Sequence, residues 1–165
     1  MDKDYIYILD IKHDTIVDGE GFRTSIYCAG CNHKCAGCHN PQSWDMKNGV
    51  LTKVSDIYKE IISNTFSNVT FSGGDPFLQL QGFIRLAKSI KKNTNKTIWC
   101  YTGFKFEELL IDKEKLELLK LIDVLVDGKF EKDKKDLDLI FKGSSNQKII
   151  NVQKSLDKEQ IILYE

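Results

Sequence analysis

From Phe22 onward, short runs with the period-two pattern of strands take turns with longer stretches whose apolar residues recur every three or four positions. Such an alternation feeds a mainly parallel sheet covered by helices, because a parallel neighbour can be reached only through a crossover connection. FRTSIYC reads as the first strand of the series. LTKVSDIYKEII follows as a helix, with Val54, Ile57, Tyr58, Ile61 and Ile62 on one stripe and Thr52 as its N-cap. NVTFS is a strand running into SGGDP, and Leu80, Phe83, Ile84 and Ala87 mark the inner face of the next helix. TIWCYTG is a strand stopped by glycine. Two short helical pieces fill Phe104 to Leu121, IDVLVDG is a buried strand, and KGSSNQKIINV is a loop leading into another. YIYILDI and the final QIILYE read as edge strands. At 165 residues the chain is expected to form one domain, residues 1–165, around one core.

Charge narrows the function classes. Lys plus Arg equals Asp plus Glu at 24 each, which argues against a phosphate-tracking surface and so against a nucleic-acid partner. The start MDKDYIYILDI lacks the basic-then-apolar pattern of a secretory signal, and no apolar run has the length of a membrane span. A cytoplasmic protein with no membrane partner is expected. In that reducing compartment clustered cysteines point to metal or redox chemistry rather than to disulfides. The lysine-rich stretches KKNTNK and EKDKKD read as solvated loops or helix faces.

Four of the five cysteines fall in CAGCNHKCAGCHNP, residues 28–41, with the spacing C-x2-C-x3-C-x2-C. Two zinc knuckles want a dozen or more residues between them, and three is cramped. A ferredoxin-type run follows a different order, C-x2-C-x2-C-x3-C-P. Setting Cys28 aside leaves Cys31, Cys35 and Cys38, three thiolates for a cubane of four irons, with one iron open to a further ligand. Cys28 itself ends a strand on the same face as Ile26, where a free cysteine behaves as a small apolar side chain. A four-cysteine zinc module or a plain electron carrier is the rival, and either would make Cys28 as necessary as Cys31.

The loop C31-x3-C35-x2-C38 resembles that of radical S-adenosylmethionine enzymes. GEGFRTSIYCAGCNHKCAGCHNPQSWD, and after it SGGDPF, IWCYTGF, DVLVDGKFE and KGSSNQ, are similar in order to the glycyl-radical activating enzymes, in the branch that serves anaerobic ribonucleoside-triphosphate reductase. The last two stretches discriminate best, because the cysteine loop is common to the superfamily. The resemblance implies an α/β fold, an incomplete TIM-like barrel of about five or six mainly parallel strands. It implies a 4Fe-4S cluster on Cys31, Cys35 and Cys38 whose open iron is chelated by S-adenosyl-L-methionine. It implies Gly37, Cys38 and His39 against the adenosyl end of that cofactor, and Gly74 at its methionyl amino group. No catalytic side chain is assigned beyond the cluster ligands. The implied partners are the anaerobic ribonucleoside-triphosphate reductase, a glycyl-radical protein, and a reducing electron donor such as flavodoxin or ferredoxin. Glu20 stands where the family has the proline of Gly-Pro-Gly-x-Arg, and GEG before a cysteine loop also occurs in radical enzymes that build the 7-deazaguanine ring; KGSSNQ favours the activating branch.

Other polar residues are open. Arg23 reads as a surface arginine at a strand edge, Cys100 as a packed core thiol, and Trp44 as a shield for the cluster or a core residue. Tyr101, Thr102, Asp127 and Asn146 fall near strand ends, where a polar side chain often caps the next helix. Asp75, where many relatives carry Glu, is given no catalytic role, and His33 is left without one.

Overall fold

The computed structural model describes residues 2–165. Its strands are β1 (Tyr5–Thr15), β2 (Arg23–Cys28), β3 (Val50–Lys53), β4 (Asn68–Gly73), β5 (Ile98–Tyr101), β6 (Val124–Asp127) and β7 (Lys148–Asn151). They form one seven-stranded sheet in the order β3-β1-β2-β4-β5-β6-β7. The helices are α1 (Val54–Ser63), α2 (Leu80–Asn93), α3 (Phe106–Ile111), α4 (Lys113–Leu119) and α5 (Val152–Lys158).

Parallel pairing runs only through β2, β4, β5 and β6, so four strands are parallel where five or six were expected. The reason is connectivity. β1 reaches β2 through the turn 16–22, too short for a crossover, and so pairs antiparallel; β7, after a loop with no α-helix, also returns antiparallel to β6. The sheet is not closed; β3 and β7 are its edges. YIYILDI is therefore an inner strand, since the short β3 pairs on its outer side. The final QIILYE is not a strand. It lies along β7 through Asn151 N to Ile162 O (2.9 Å), Tyr164 N to Ile149 O (2.8 Å) and a lone bridge at Leu163, because the left-handed turn at Glu159 and the Ser155 hydroxyl set its path.

Period-two alternation gives each strand a helix side and a bare side. Ile26, Phe71, Cys100, Leu125 and Ile150 stand in register across five strands, all fully buried. They meet Ile57, Ile61, Phe83, Leu86 and Leu118 in the main core. The stripe read from α1 holds for Val54, Ile57 and Ile61, while Ile62 is exposed. Thr52 does not cap that helix: it is held in the β3 ladder opposite Ile6, and α1 starts after Lys53 without a side-chain cap. All four inner residues read for α2 are buried or packed against the core.

On the bare side Trp99, Val124 and Val126 form a second apolar cluster with Tyr101, Phe141, Ile149 and Tyr164. The turn between β1 and β2 folds back over this side at the strands' N-terminal ends. Asp18 accepts from Ser25 Oγ (2.9 Å) and from the Tyr27 hydroxyl, and Thr70 Oγ1 donates to Asp18 O (2.8 Å). Gly19, at φ +135°, lies so close over the Trp99 indole that a Cβ would come within 2.8 Å. Arg23 is buried beneath this turn, not on the surface. Its guanidinium donates to Glu20 O (3.0 Å), Val69 O (2.6 Å), Thr97 O (3.0 Å) and Thr70 Oγ1 (3.1 Å), and lies over the Trp99 ring. Burial pushes its pKa down to about 10. Arg23 thus laces the lower ends of β2, β4 and β5 together. No helix among the described residues is long and apolar enough to cross a membrane.

Candidate metal centre

The cysteine loop rises from the C-terminal edge of the parallel strands, where sheets of this kind collect ligands. β2 ends at Cys28 in register with Gly73, the end of β4. Gly74 N donates to Cys28 O (2.7 Å) and Asp75 N to Gly30 O (2.8 Å), so the two strand ends are clasped. A Cβ on Gly74 would overlap Gly30 O, which is why glycine is required there. The loop is closed at its neck by Gly30 N to Ser43 O (2.7 Å) and Cys31 N to Trp44 O (3.1 Å). Buried Gln79 pins the neck from below. Its amide donates to Tyr7 O (2.9 Å) and Ala29 O (2.8 Å) and accepts from Tyr7 N (2.7 Å).

The five cysteines divide into two groups. Cys28 and Cys100 are fully buried, and burial, reinforced by the Asp75 charge, pushes both thiols far up. Cys31, Cys35 and Cys38 are free and partly exposed on the loop. Cys38 N donates to Cys35 O (3.1 Å), and Asn40 N approaches Cys38 Sγ at 3.5 Å. The Cys31 thiol is also raised, by burial first. Among the described residues no three His, Cys, Asp or Glu side chains are gathered as ligands of a single ion. A cubane asks for something else, since each thiolate binds a different iron. Three accessible thiols on one loop suit it, and bound metal would deprotonate them.

Gly37, at φ +77°, is exposed; its missing Cβ lies 3.4 Å from Lys132 and 3.5 Å from Phe130, so this side of the loop rests on the segment after β6. His39 is exposed on the same arm. Gly74 sits instead at the loop's foot, and its amide is already engaged. The structure thus sets Gly37 and Gly74 at opposite ends of the loop.

The KGSSNQ segment supports that arm. Gln147 donates to Gly128 O (2.9 Å) and accepts from Gly143 N (2.9 Å), and Asn146 donates to Lys129 O (2.8 Å). Gly143 in turn lets Phe130 pack close, so the motif reaches Gly37 through Phe130. Asn146 Oδ1 and Trp44 Nε1 are buried without a hydrogen-bond partner among the described residues. Two residues singled out as strand-end polar groups are structural. Asp127 accepts from Phe106 N (2.9 Å) at the start of α3 and from Lys148 N (3.1 Å), and burial raises its pKa. Tyr101 donates to Phe141 O (2.8 Å).

Residues 17–150 match a family model described as a 4Fe-4S single cluster domain. The chain is similar to the anaerobic ribonucleoside-triphosphate reductase-activating proteins of Haemophilus influenzae (37% identity over 142 residues, 80% of this chain and 89% of the relative) and Escherichia coli K12 (37% over 142 residues, 80% and 90%). That of Enterobacteria phage T4 is 33% identical over 157 residues, 90% of this chain and 93% of the relative. The chain belongs to the anaerobic ribonucleoside-triphosphate reductase-activating family. In this member of the activating family the cluster-domain match takes in the whole cysteine loop, the Gly74 turn and the KGSSNQ segment.

Sequence reasoning missed Gln79 and left His33 without a role, while Thr102, read only as a strand-end polar residue, turns to a carboxylate that His33 also meets. His33 Nε2 lies 2.6 Å from Asp75 Oδ2, and Thr102 Oγ1 donates to the same carboxylate. The available signal was a histidine between two of the clustered cysteines in a chain with only three histidines. Its partner is 42 positions away, and only the β2–β4 register brings them together.

Proposed function

We propose that this chain activates an anaerobic ribonucleoside-triphosphate reductase by reductive cleavage of S-adenosylmethionine. Cys31, Cys35 and Cys38 would hold a 4Fe-4S cluster, with S-adenosylmethionine on its open iron. When bound, the cluster supplies one electron to the sulfonium, which parts into methionine and a 5′-deoxyadenosyl radical able to take the Cα hydrogen of a reductase glycine. The observation that carries this reading is the division of the thiols: three stand accessible on one loop, while Cys28 is sealed in the core, leaving the ligand set one short.

The chain's own residues bind, orient and dry the site. Because the Gly74 amide is spent on Cys28 O, what the turn offers is its carbonyl, an acceptor suited to the methionyl ammonium. The exposed backbone from Gly37 to His39 faces the adenosyl end. Phe104 and Phe77 line the foot of the loop with apolar surface, and a radical intermediate needs such shelter from water. The four-stranded parallel arc serves as part of a barrel-like wall, with the reductase covering the open edge. Flavodoxin or ferredoxin in the cytoplasm supplies the electron.

The test is anaerobic reconstitution with iron and sulfide, followed by addition of S-adenosylmethionine, a reductant and the reductase. The expected result is a glycyl-radical EPR signal on the reductase and one methionine formed per cleavage. A fully loaded chain that leaves S-adenosylmethionine intact would refute the reading.

A further inference from the structure

His33 stands between the first two cluster ligands, yet no role above requires it. Its side chain is only 10% exposed. The ring packs edge-on against Phe104, with centroids 4.7 Å apart, and so close over Gly103 that a Cβ there would lie 2.5 Å from the imidazole. Nε2 meets Asp75 Oδ2 at 2.6 Å; a carboxylate only accepts, so that ring nitrogen donates. Asp75 is 2% exposed and also accepts from Thr102 Oγ1 (2.9 Å), Gly103 N (3.0 Å) and Phe77 N (3.0 Å). One carboxylate therefore joins the ligand loop, the Gly73–Gly74 turn and the end of β5. Among the described residues no other side chain from Cys31 to Cys38 makes a hydrogen bond outside the loop.

We infer that His33 and Asp75 are a positioning pair, which fixes the ligand loop over the Gly74 turn so that the three thiols and the Gly74 carbonyl face one bound S-adenosylmethionine. This rests on the function proposed above. Neither residue touches the reacting atoms; both act through the loop. A charge-assisted bond in a nearly dry setting is stronger than its exposed counterpart, and it acts here on the one arc that carries the ligands. Without the imidazole donor, Asp75 keeps its three other donors and the fold stands, while the loop loses its side-chain tie to the turn.

The test compares wild type, His33→Leu and His33→Gln after anaerobic reconstitution. Three quantities are read: iron and sulfide per chain, the melting temperature of the metal-free chain, and the change in the reduced cluster's EPR spectrum as S-adenosylmethionine is added. His33→Leu should load iron as wild type does but need about tenfold more S-adenosylmethionine for the spectral change, the loss expected of one charge-assisted hydrogen bond used in orientation. His33→Gln, whose amide places a donor near the Nε2 position, should recover most of it. A His33→Leu chain that titrates like wild type, or a His33→Gln chain no better than His33→Leu, overturns the pair. So does a loss that only follows the loss of iron, since the histidine would then merely hold the loop together. Failure of the underlying function is told apart because it appears in the wild type, as a loaded cluster whose spectrum ignores S-adenosylmethionine.

Discussion

Replacing Cys28 by alanine separates a cluster with three protein ligands from a site that uses all four clustered cysteines. Cys28 has no exposed surface and belongs to the main core, in register with Gly73 on one side and Ile8 on the other. Its contribution to the loop is made by the backbone, through the carbonyl that Gly74 N reaches, and alanine keeps that bond. What is lost is one buried sulfur, a methylene-sized group plus a small cavity, at a cost of about 1 kcal/mol. In a chain of 165 residues that lowers Tm by about 2–4 °C. Iron and sulfide content after anaerobic reconstitution should equal that of wild type, and the spectral response to S-adenosylmethionine should persist. Cys31→Ala, Cys35→Ala and Cys38→Ala should each lose the cluster while the metal-free chain melts near the wild-type temperature. If alanine at 28 removed iron as thoroughly as alanine at 35, Cys28 would be a ligand and the three-thiol argument would fail.

Arg23→Met removes a donor from the buried Val69 O and from Thr70 Oγ1, and from the part-buried Glu20 O and Thr97 O, and should cost about 2–4 kcal/mol in urea unfolding; Arg23→Lys should restore little, because one ammonium cannot span the same acceptors. Gly74→Ala drives a methyl group into Gly30 O and should destabilise the chain by about 2–3 kcal/mol and weaken the response to S-adenosylmethionine together, read by thermal melts and EPR titration; an unchanged melt would contradict the close packing of the turn on the loop. Stripping the metal with a chelator should leave the amide hydrogen-exchange pattern of β2, β4 and Gln79 unchanged, because the loop's neck is closed by the chain's own hydrogen bonds; loss of protection there would show that metal, not the neck, holds the loop.

The features legible in the sequence are those with a short period. Alternation from Ile26 placed Cys28 in the core, and the apolar stripes placed α1 and α2 against the sheet. The spacing of Cys31, Cys35 and Cys38 confines them to one loop, but their partial burial there could be read only from the structure. What escaped depends on contacts between distant segments. An arginine at a strand start looks solvated until the 16–22 turn folds over it, and no local pattern announces that fold-back. QIILYE has strand-like composition, but the turn at Glu159 decides its path. His33 and Asp75 have unremarkable neighbours in sequence and meet only through strand register. The strand count was misjudged because the short 16–22 turn forces β1 and β2 antiparallel and β7 also returns antiparallel to β6.

The fold-back of the 16–22 turn makes the chain its own cover. With Asp18 and Gly19 laid across the lower end of the sheet's bare side, and Trp99, Phe141 and Tyr164 packed beside them, the indole and the Arg23 guanidinium are kept from water by a few residues of loop. Arg23 is both shelterer and sheltered: its bond to Glu20 O fastens the turn that hides it, so unpicking either one wets both.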